Sequence, residues 1–357
     1  MIFLLEYHLF FKIMSLAVEL KQIKRLEKYK KSLFSYLVKY FACHAEIPVK
    51  DAVRIVRKSF SRWYFDGIRN GKVVDFVPQE DIVCPQDLKY IFQKVGKVYV
   101  TYKPFVFYFH KHISDDTWSE PVVDRIYSPE TKTMTFHIDK YNYSISLIQY
   151  GRLRDLYLGP PGYLDDSIMM LLLRYGFIGS KNNHLSVPPP LIRGGMIELF
   201  GSPLNTCSSH YCSPLAVDKR FGSLGSFFNH KFRPGNYLAN PPFVADVMTS
   251  MSKKLLLGLE EVKNLTIYVV IPVWDEGATL RGLTYEAWDI LKESPYLRDH
   301  RLLDQFSYPF YDYYNDQYIP VSDTHFILLS NNKGFQGDLT SFVDKWGAFK
   351  EKIVDFG

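Results

Sequence analysis

Asn240, Pro241, Pro242 and Phe243 follow a short apolar stretch, and a long helical pattern begins directly after them. Proline fixes its own backbone angle and holds the preceding residue extended, so Asn-Pro-Pro makes a stiff turn at a strand end. Such a turn projects the Asn240 side chain and the bare Pro241 carbonyl as two fixed acceptors. An exocyclic amino group on a base offers two hydrogens, and holding both aims the nitrogen lone pair at an incoming electrophile. Phe243 supplies a flat face on which that base can stack. The plainer reading, a rigid strand terminator with no chemistry, weighs about equally on these four residues alone.

Placement favours the chemical reading. The motif Asn/Asp/Ser-Pro-Pro-aromatic is characteristic of amino methyltransferases that use S-adenosylmethionine. One strand earlier, IELFGSPLN has an acid, an aromatic and then a small-residue turn where a chain can approach a cofactor closely. Further on, LTIYVVIPVWDE and THFILLSNN are β-branched, apolar runs. Strands separated by helical segments predict a parallel, helix-covered sheet, whose ligands bind at the carboxyl ends of the strands. Both marked turns are expected at that edge.

In order along the chain, ELFGSPLN, YCSPL, RFGSLGSF, ANPPF and IYVVIPVWDE resemble the phosphorylated-CTD-interacting-factor family of cap-specific adenosine methyltransferases. The resemblance runs from about residue 172 to about residue 331. It implies an α/β fold, a class I (Rossmann-like) methyltransferase sheet, preceded by a mainly helical domain. It implies N(6)-methylation of the adenosine beside a 7-methylguanosine cap, with S-adenosylmethionine as methyl donor and capped RNA beginning with adenosine as partner. Asn240, Pro241, Pro242 and Phe243 carry the catalytic motif in this comparison. Glu198, Phe200, Gly201, Ser202, Pro203 and Asn205 correspond to the cofactor-side segment. Phe200 is read equally as core, and Glu198 equally as a structural carboxylate.

Other residues extend the candidate site. Asp218 suits the cofactor ribose hydroxyls or is a solvated loop carboxylate. Arg174 meets an anionic group or caps its own helix. Trp274 offers a stacking face. Tyr311, Tyr313 and Tyr314, from the run YPFYDYYNDQY, are read as packing ahead of stacking. Cys207, His210 and Cys212 lie close together but lack a fourth ligand at suitable spacing, so no metal is expected. No second tryptophan stands near Trp118 at the spacing of a WW domain, so no WW-mediated binding of a polymerase tail is inferred.

The remainder of the chain must position and feed such a site. Its 357 residues are 47% hydrophobic and 23% charged, enough for two domains, drawn here as 1–150 and 151–357. Four cysteines give no disulfide framework and suit a reducing, intracellular setting. Residues 1–72 hold fifteen Lys and Arg against six Asp and Glu, while the whole chain carries only +5. Two amphipathic helical patterns in that part keep Lys24, Lys28, Lys31, Arg54, Arg57, Lys58 and Arg62 off their apolar stripe. That face is either a solvated surface or a grip on phosphates, Arg57 and Lys58 being the substrate-side candidates.

The opening apolar run is interrupted by Glu6, His8 and Lys12 and reads as a packed helix rather than a membrane anchor, with a second helix starting at Ser15 as its cap. β-structure is expected from about 97 to 147, including two strands around Pro129-Glu130-Thr131. A helix follows through YGRLRDLY, and an apolar helix capped by Asp165 or Asp166 comes after it. A DNA or internal-RNA adenine methyltransferase and a silent RNA-binding subunit are the alternatives to cap methylation.

Overall fold

Leu265–Pro272 is a run of β-branched and apolar residues in which every position is buried, the pattern of a strand covered on both faces. In the computed structural model it is the centre of a five-stranded sheet. The structure describes residues 122–178, 184–192, 195–274, 279–280 and 283–353, with 15–21 and scattered positions between 23 and 53. Arg57, Lys58, Trp118 and residues 97–121 lie outside the described residues.

The chain divides into two compact units: residues 1–127, 135–144 and 161–179, and residues 128–134, 145–160 and 180–357. In the first, residues 16–21 are helical, and the Val18 amide donates to Ser15 Oγ at 3.3 Å, the expected cap. The strands β1 (Asp124–Ser128), β2 (Thr133–Ile138) and β3 (Tyr141–Ser146) form a small sheet in that order, with the expected turn between the first two. Helix α1 (Leu147–Leu156), which belongs to the second unit, starts three residues before YGRLRDLY because Ser146 caps it, its hydroxyl accepting from the Gln149 amide. Helix α2 (Leu164–Ile178) corrects a second expectation: Asp165 and Asp166 stand inside its first turn, where they favour the helix dipole without capping it.

The second unit carries the main sheet. After the two-residue β4 (Leu185–Ser186) come β5 (Ile197–Glu198), β6 (Gly235–Ala239), α3 (Ala245–Glu261) and β7 (Leu265–Pro272). A ribbon of β8 (Thr279–Leu280) and β9 (Leu283–Thr284), the short α4 (Ala287–Lys292) and β10 (Leu297–Leu303) follow. Then come β11 (Phe310–Asp312), β12 (Gln317–Ile319), β13 (Thr324–Ser330) and α5 (Thr340–Gly347). The strand order is β10-β13-β7-β6-β5. Strands β5, β6 and β7 are parallel, whereas β13 runs antiparallel to both β7 and β10. The parallel sheet expected from the strand and helix pattern is therefore a mixed one. The reversal is possible because β10 and β13 meet without a crossover helix, and an antiparallel neighbour needs none. Single-residue parallel bridges carry the ladder past β5, from Glu198 to Tyr211 and from Tyr211 to Ser223.

Alternation along the strands feeds two cores. Tyr237, Ala239, Ile267, Val269, Ile271, Ile327 and Leu329 face one side, with Met248, Met251 and Leu255 of α3 and Leu291 of α4. Leu238, Tyr268, Val270, Phe326 and Leu328 face the other, with Phe342 and Trp346 of α5. Helices thus cover both faces, so the carboxyl edge of the parallel strands is where polar side chains can be presented. No helix among the described residues is long and apolar enough to cross a membrane.

Candidate active site

Strands β5 and β6 leave the sheet at the same level. Ile197 pairs with Tyr237 and Glu198 with Leu238, and the Leu199 amide donates to the Leu238 carbonyl at 2.8 Å. The turns that follow, 200–205 and 240–243, therefore emerge side by side. Residues separated by about forty positions in sequence meet at one sheet edge, as expected for a parallel pair.

At β6, Asn240 is the first residue beyond the strand and is half-buried. Its Nδ2 donates to Ser186 Oγ of β4 at 3.2 Å. Pro241 is buried and Pro242 exposed, and the Val244 amide donates back to the Pro242 carbonyl at 2.7 Å before α3 begins. The turn is thus closed by one short bond and two fixed rings. Phe243 is half-buried, its ring edge-on to the buried Phe310 with centroids 5.9 Å apart. One edge of the ring is held by the protein, which sets its plane.

At β5, the Glu198 carboxylate is buried and collects the next loop. Its Oε1 accepts from Thr206 Oγ1 at 2.6 Å, from the Cys207 amide at 2.9 Å and from the Ser208 amide at 2.8 Å. Burial raises its pKa above the ordinary carboxylate value, against the lowering effect of these bonds and of Arg152 nearby. Asn205 Oδ1 accepts from both the Ser202 amide, at 2.7 Å, and the Ser202 hydroxyl, at 2.9 Å, which closes the turn around the buried Pro203. Phe200 packs on Phe227 with centroids 4.7 Å apart, the core reading of that residue. Gly201 allows a close approach, since a Cβ there would lie 3.1 Å from Tyr211 Cβ. The Gly201 amide donates to the Cys212 carbonyl at 3.0 Å, so backbone and side-chain bonds together fix the shape of this loop.

The other candidates are scattered. Asp218 is fully buried, and Ser213 Oγ donates to its Oδ2. Arg174 lies in the other compact unit, where Nε and Nη2 reach the two oxygens of Glu19 at 2.7 and 2.8 Å. Trp274, half-buried just past β7, meets Tyr285 edge-on at 5.4 Å. Tyr313 and Tyr314 pack: Tyr313 is buried, and Tyr314 stacks on His184 at 5.2 Å. Cys207, His210 and Cys212 do not converge. The Cys207 thiol donates to Tyr313 Oη at 3.3 Å, His210 Nδ1 pairs with Ser209 Oγ at 2.9 Å, and burial pushes the Cys212 thiol up to about 12. Among the described residues no three such groups are placed to hold a metal.

Sequence reasoning missed Ser186, Gln149 and Arg152. Gln149 of α1 is buried and donates to the Leu204 carbonyl at 3.0 Å. Arg152 donates to Gln149 Oε1 at 2.9 Å and to the Thr206 carbonyl, and its guanidinium lies over the Tyr313 ring at 4.9 Å. Apart from the Arg152–Gln149 bond within α1, each of these ties spans more than fifty residues, so no local pattern announces it.

Comparison with known proteins finds similar sequences for the part of the chain that holds this sheet edge. Residues 163–313 match the sequence model of the family described as Phosphorylated CTD interacting factor 1 WW domain. The description names a WW domain, against the expectation that none is present; the residues it matches hold β5, β6, β7 and the turns at their carboxyl ends. Two curated relatives are similar, both described as mRNA (2'-O-methyladenosine-N(6)-)-methyltransferase. The one from Mus musculus is 29% identical over 193 residues and the one from Homo sapiens 27% over 191. Each match covers 50% of this chain but 25% of the relative, so the similarity spans about a quarter of those longer proteins.

Proposed function

We propose, from the match of residues 163–313 to the phosphorylated-CTD-interacting-factor family model, that the chain is an S-adenosylmethionine-dependent adenine N(6)-methyltransferase of that family, acting on the cap-adjacent adenosine of RNA. The observation that carries this reading is the side-by-side exit of FGSPLN and NPPF from two paired parallel strands. Methyl donor and amino acceptor must meet within bonding distance, and this geometry offers a bed for each. The mixed sheet with β13 alone reversed, continued by the bridges at Tyr211 and Ser223, supports a class I, Rossmann-like domain in residues 151–357. Residues 1–150 would form the basic domain that grips the transcript, Arg57 and Lys58 included.

When bound, the donor supplies an electrophilic methyl group, and transfer needs no strong base. The protein's part is alignment. Asn240 Oδ1 and the Pro241 carbonyl each accept one hydrogen of the adenine amino group, which turns its lone pair toward the donor. Phe243, held edge-on by Phe310, stacks on the base. Backbone at 200–203 cradles the donor, in a loop shaped by Glu198, Gly201, Ser202, Pro203 and Asn205, with Phe200 packed beneath it. Asp218 accepts from Ser213 on the neighbouring segment, and Trp274, edge-on to Tyr285 past β7, is the candidate stacking face for the substrate. Fixing two reactants in this way is worth about 7–11 kcal/mol.

The test is methyl transfer from labelled S-adenosylmethionine to matched RNAs beginning with adenosine, capped or uncapped. Labelling confined to the capped RNA and reduced on the order of a hundredfold or more in Asn240→Ala is expected. Equal labelling of uncapped RNA would keep the chemistry and remove the cap requirement. Transfer undiminished in Asn240→Ala would sink the site assignment, and no binding of the donor would make the chain a silent subunit.

A further inference from the structure

An arginine that is half-buried and bonded only to neutral acceptors has lost part of its hydration without gaining a counter-charge. Arg152 of α1 is such a residue. Its Nη1 donates to Gln149 Oε1 at 2.9 Å, its Nη2 donates to the Thr206 carbonyl, and its guanidinium lies over the Tyr313 ring at 4.9 Å. Among the described residues it makes no ion pair, whereas Arg125, Arg174 and Arg301 each hold a carboxylate. A guanidinium has five N–H donors, no acceptor and no neutral form in proteins, so the polarity of what it binds is fixed. The two bonds use one N–H on each terminal nitrogen and leave Nε and the second N–H of each.

The anchors of Arg152 place this charge between two walls. On one side is the loop after β5, where Thr206 donates to Glu198 Oε1 at 2.6 Å and Gln149 holds the Leu204 carbonyl at 3.0 Å. On the other is β11. Tyr313 is buried, its hydroxyl donating to the Val187 carbonyl at 3.1 Å, and Tyr311 pairs with Ser186, whose hydroxyl meets Asn240 Nδ2 at 3.2 Å. Burial raises the pKa of Glu198 and Cys207 on the first side and of Tyr311 and Tyr313 on the second, and the Arg152 charge opposes the rise at all four.

We propose that Arg152 binds the α-carboxylate of S-adenosylmethionine and so anchors the amino-acid arm of the donor beside Asn240. The inference rests on the methyltransferase reading and deepens it. The donor carries one carboxylate, separated from its sulfonium by three carbons, so an arginine a few side chains from Asn240 suits the length of that arm. A phosphate of the transcript is the other anion at hand, and the attachment of Arg152 to the loop proposed to cradle the donor favours the carboxylate. Arg174, the arginine that the sequence offered for an anion, is already bidentate to Glu19.

The experiment is calorimetry on the full chain with S-adenosylmethionine and with decarboxylated S-adenosylmethionine, for the parent, Arg152→Gln and Arg152→Lys. In the parent the decarboxylated donor should bind about tenfold more weakly, the worth of a hydrogen bond to a charged group. In Arg152→Gln the ratio of the two affinities should fall to near one, because the carboxylate no longer has its partner. Arg152→Lys keeps the charge and loses the fork, so its ratio should lie between the two; it carries the same comparison if the glutamine variant does not fold. An arginine that merely supported the loop would weaken both donors alike and leave the ratio at its parental value, which overturns the proposal. A parental ratio near one overturns it too, as does weaker binding of capped RNA with donor affinity intact, the result that would assign the arginine to a phosphate. Failure of the parent to bind either donor is a different outcome, because it removes the methyltransferase reading itself.

Discussion

Gly201 shows how tightly a single position can constrain the loop after β5. A Cβ added there would meet Tyr211 at 3.1 Å from its Cβ and 3.3 Å from its ring. Tyr211 cannot move away easily: it is fully buried, and its hydroxyl donates to the Phe221 carbonyl at 2.8 Å. Close-packed interiors resist added volume at a cost of about 1–3 kcal/mol, so Gly201→Val should lower stability by that amount in urea titration. The same variant should weaken donor binding in calorimetry, because the displaced backbone belongs to the loop proposed to cradle the donor. Undiminished affinity in a destabilised protein would separate the glycine's packing role from the cofactor. At this scale the sequence was informative, since the identities in NPPF and FGSPLN have local physical meanings. Their partners were not, because a hydrogen bond between Asn240 and Ser186 leaves no trace in either neighbourhood.

At the scale of elements, helix α1 holds the loop that follows β5, the one proposed to cradle the cofactor. Gln149 donates to the Leu204 carbonyl, Arg152 to the Thr206 carbonyl, and the two side chains are joined to each other. Gln149→Leu keeps the volume roughly and deletes the donor, leaving a buried carbonyl unpaired at about 1–3 kcal/mol. The expected outcome is a lower melting temperature with a fall in S-adenosylmethionine affinity larger than that of a core substitution of equal cost, such as Leu255→Ala in α3. Equal effects on affinity would make α1 ordinary scaffolding. The strand ends beside the site were legible because IELF, YLA and LTIYVVIP are apolar and end in turn residues. Strands β4, β11 and β12 were not, being two or three residues long, too short for a period to register. The reversed direction of β13 was equally hidden, because THFILLS is buried on both faces and reads the same in either direction.

At the scale of the whole chain, its histidines set how stability depends on pH. His325 on β13 shares a 2.9 Å contact, Nδ1 to Nε2, with His300 on β10, and the Trp288 ring stacks on His325 with centroids 4.5 Å apart. Burial, and then the neighbouring His300, push His325 down to about 4. Burial likewise takes His184 down to about 4 against the opposing pull of Asp312, and lowers His300 and His230. The unfolded chain protonates its histidines near 6.5, so below that value it takes up protons that the folded protein refuses. Stability from these groups is therefore complete above about pH 6.5 and is lost as pH falls toward 4. Melting temperature should decline steadily from pH 7 to pH 5, well before carboxylates protonate. In His325→Gln, which keeps a polar group of similar reach without the titration, the decline should become shallower by up to about 1.4 kcal/mol per pH unit. A variant slope equal to that of the parent would mean that the His300–His325 pair opens to solvent and protonates in the folded state, and that the drop comes from His184 and His230 instead.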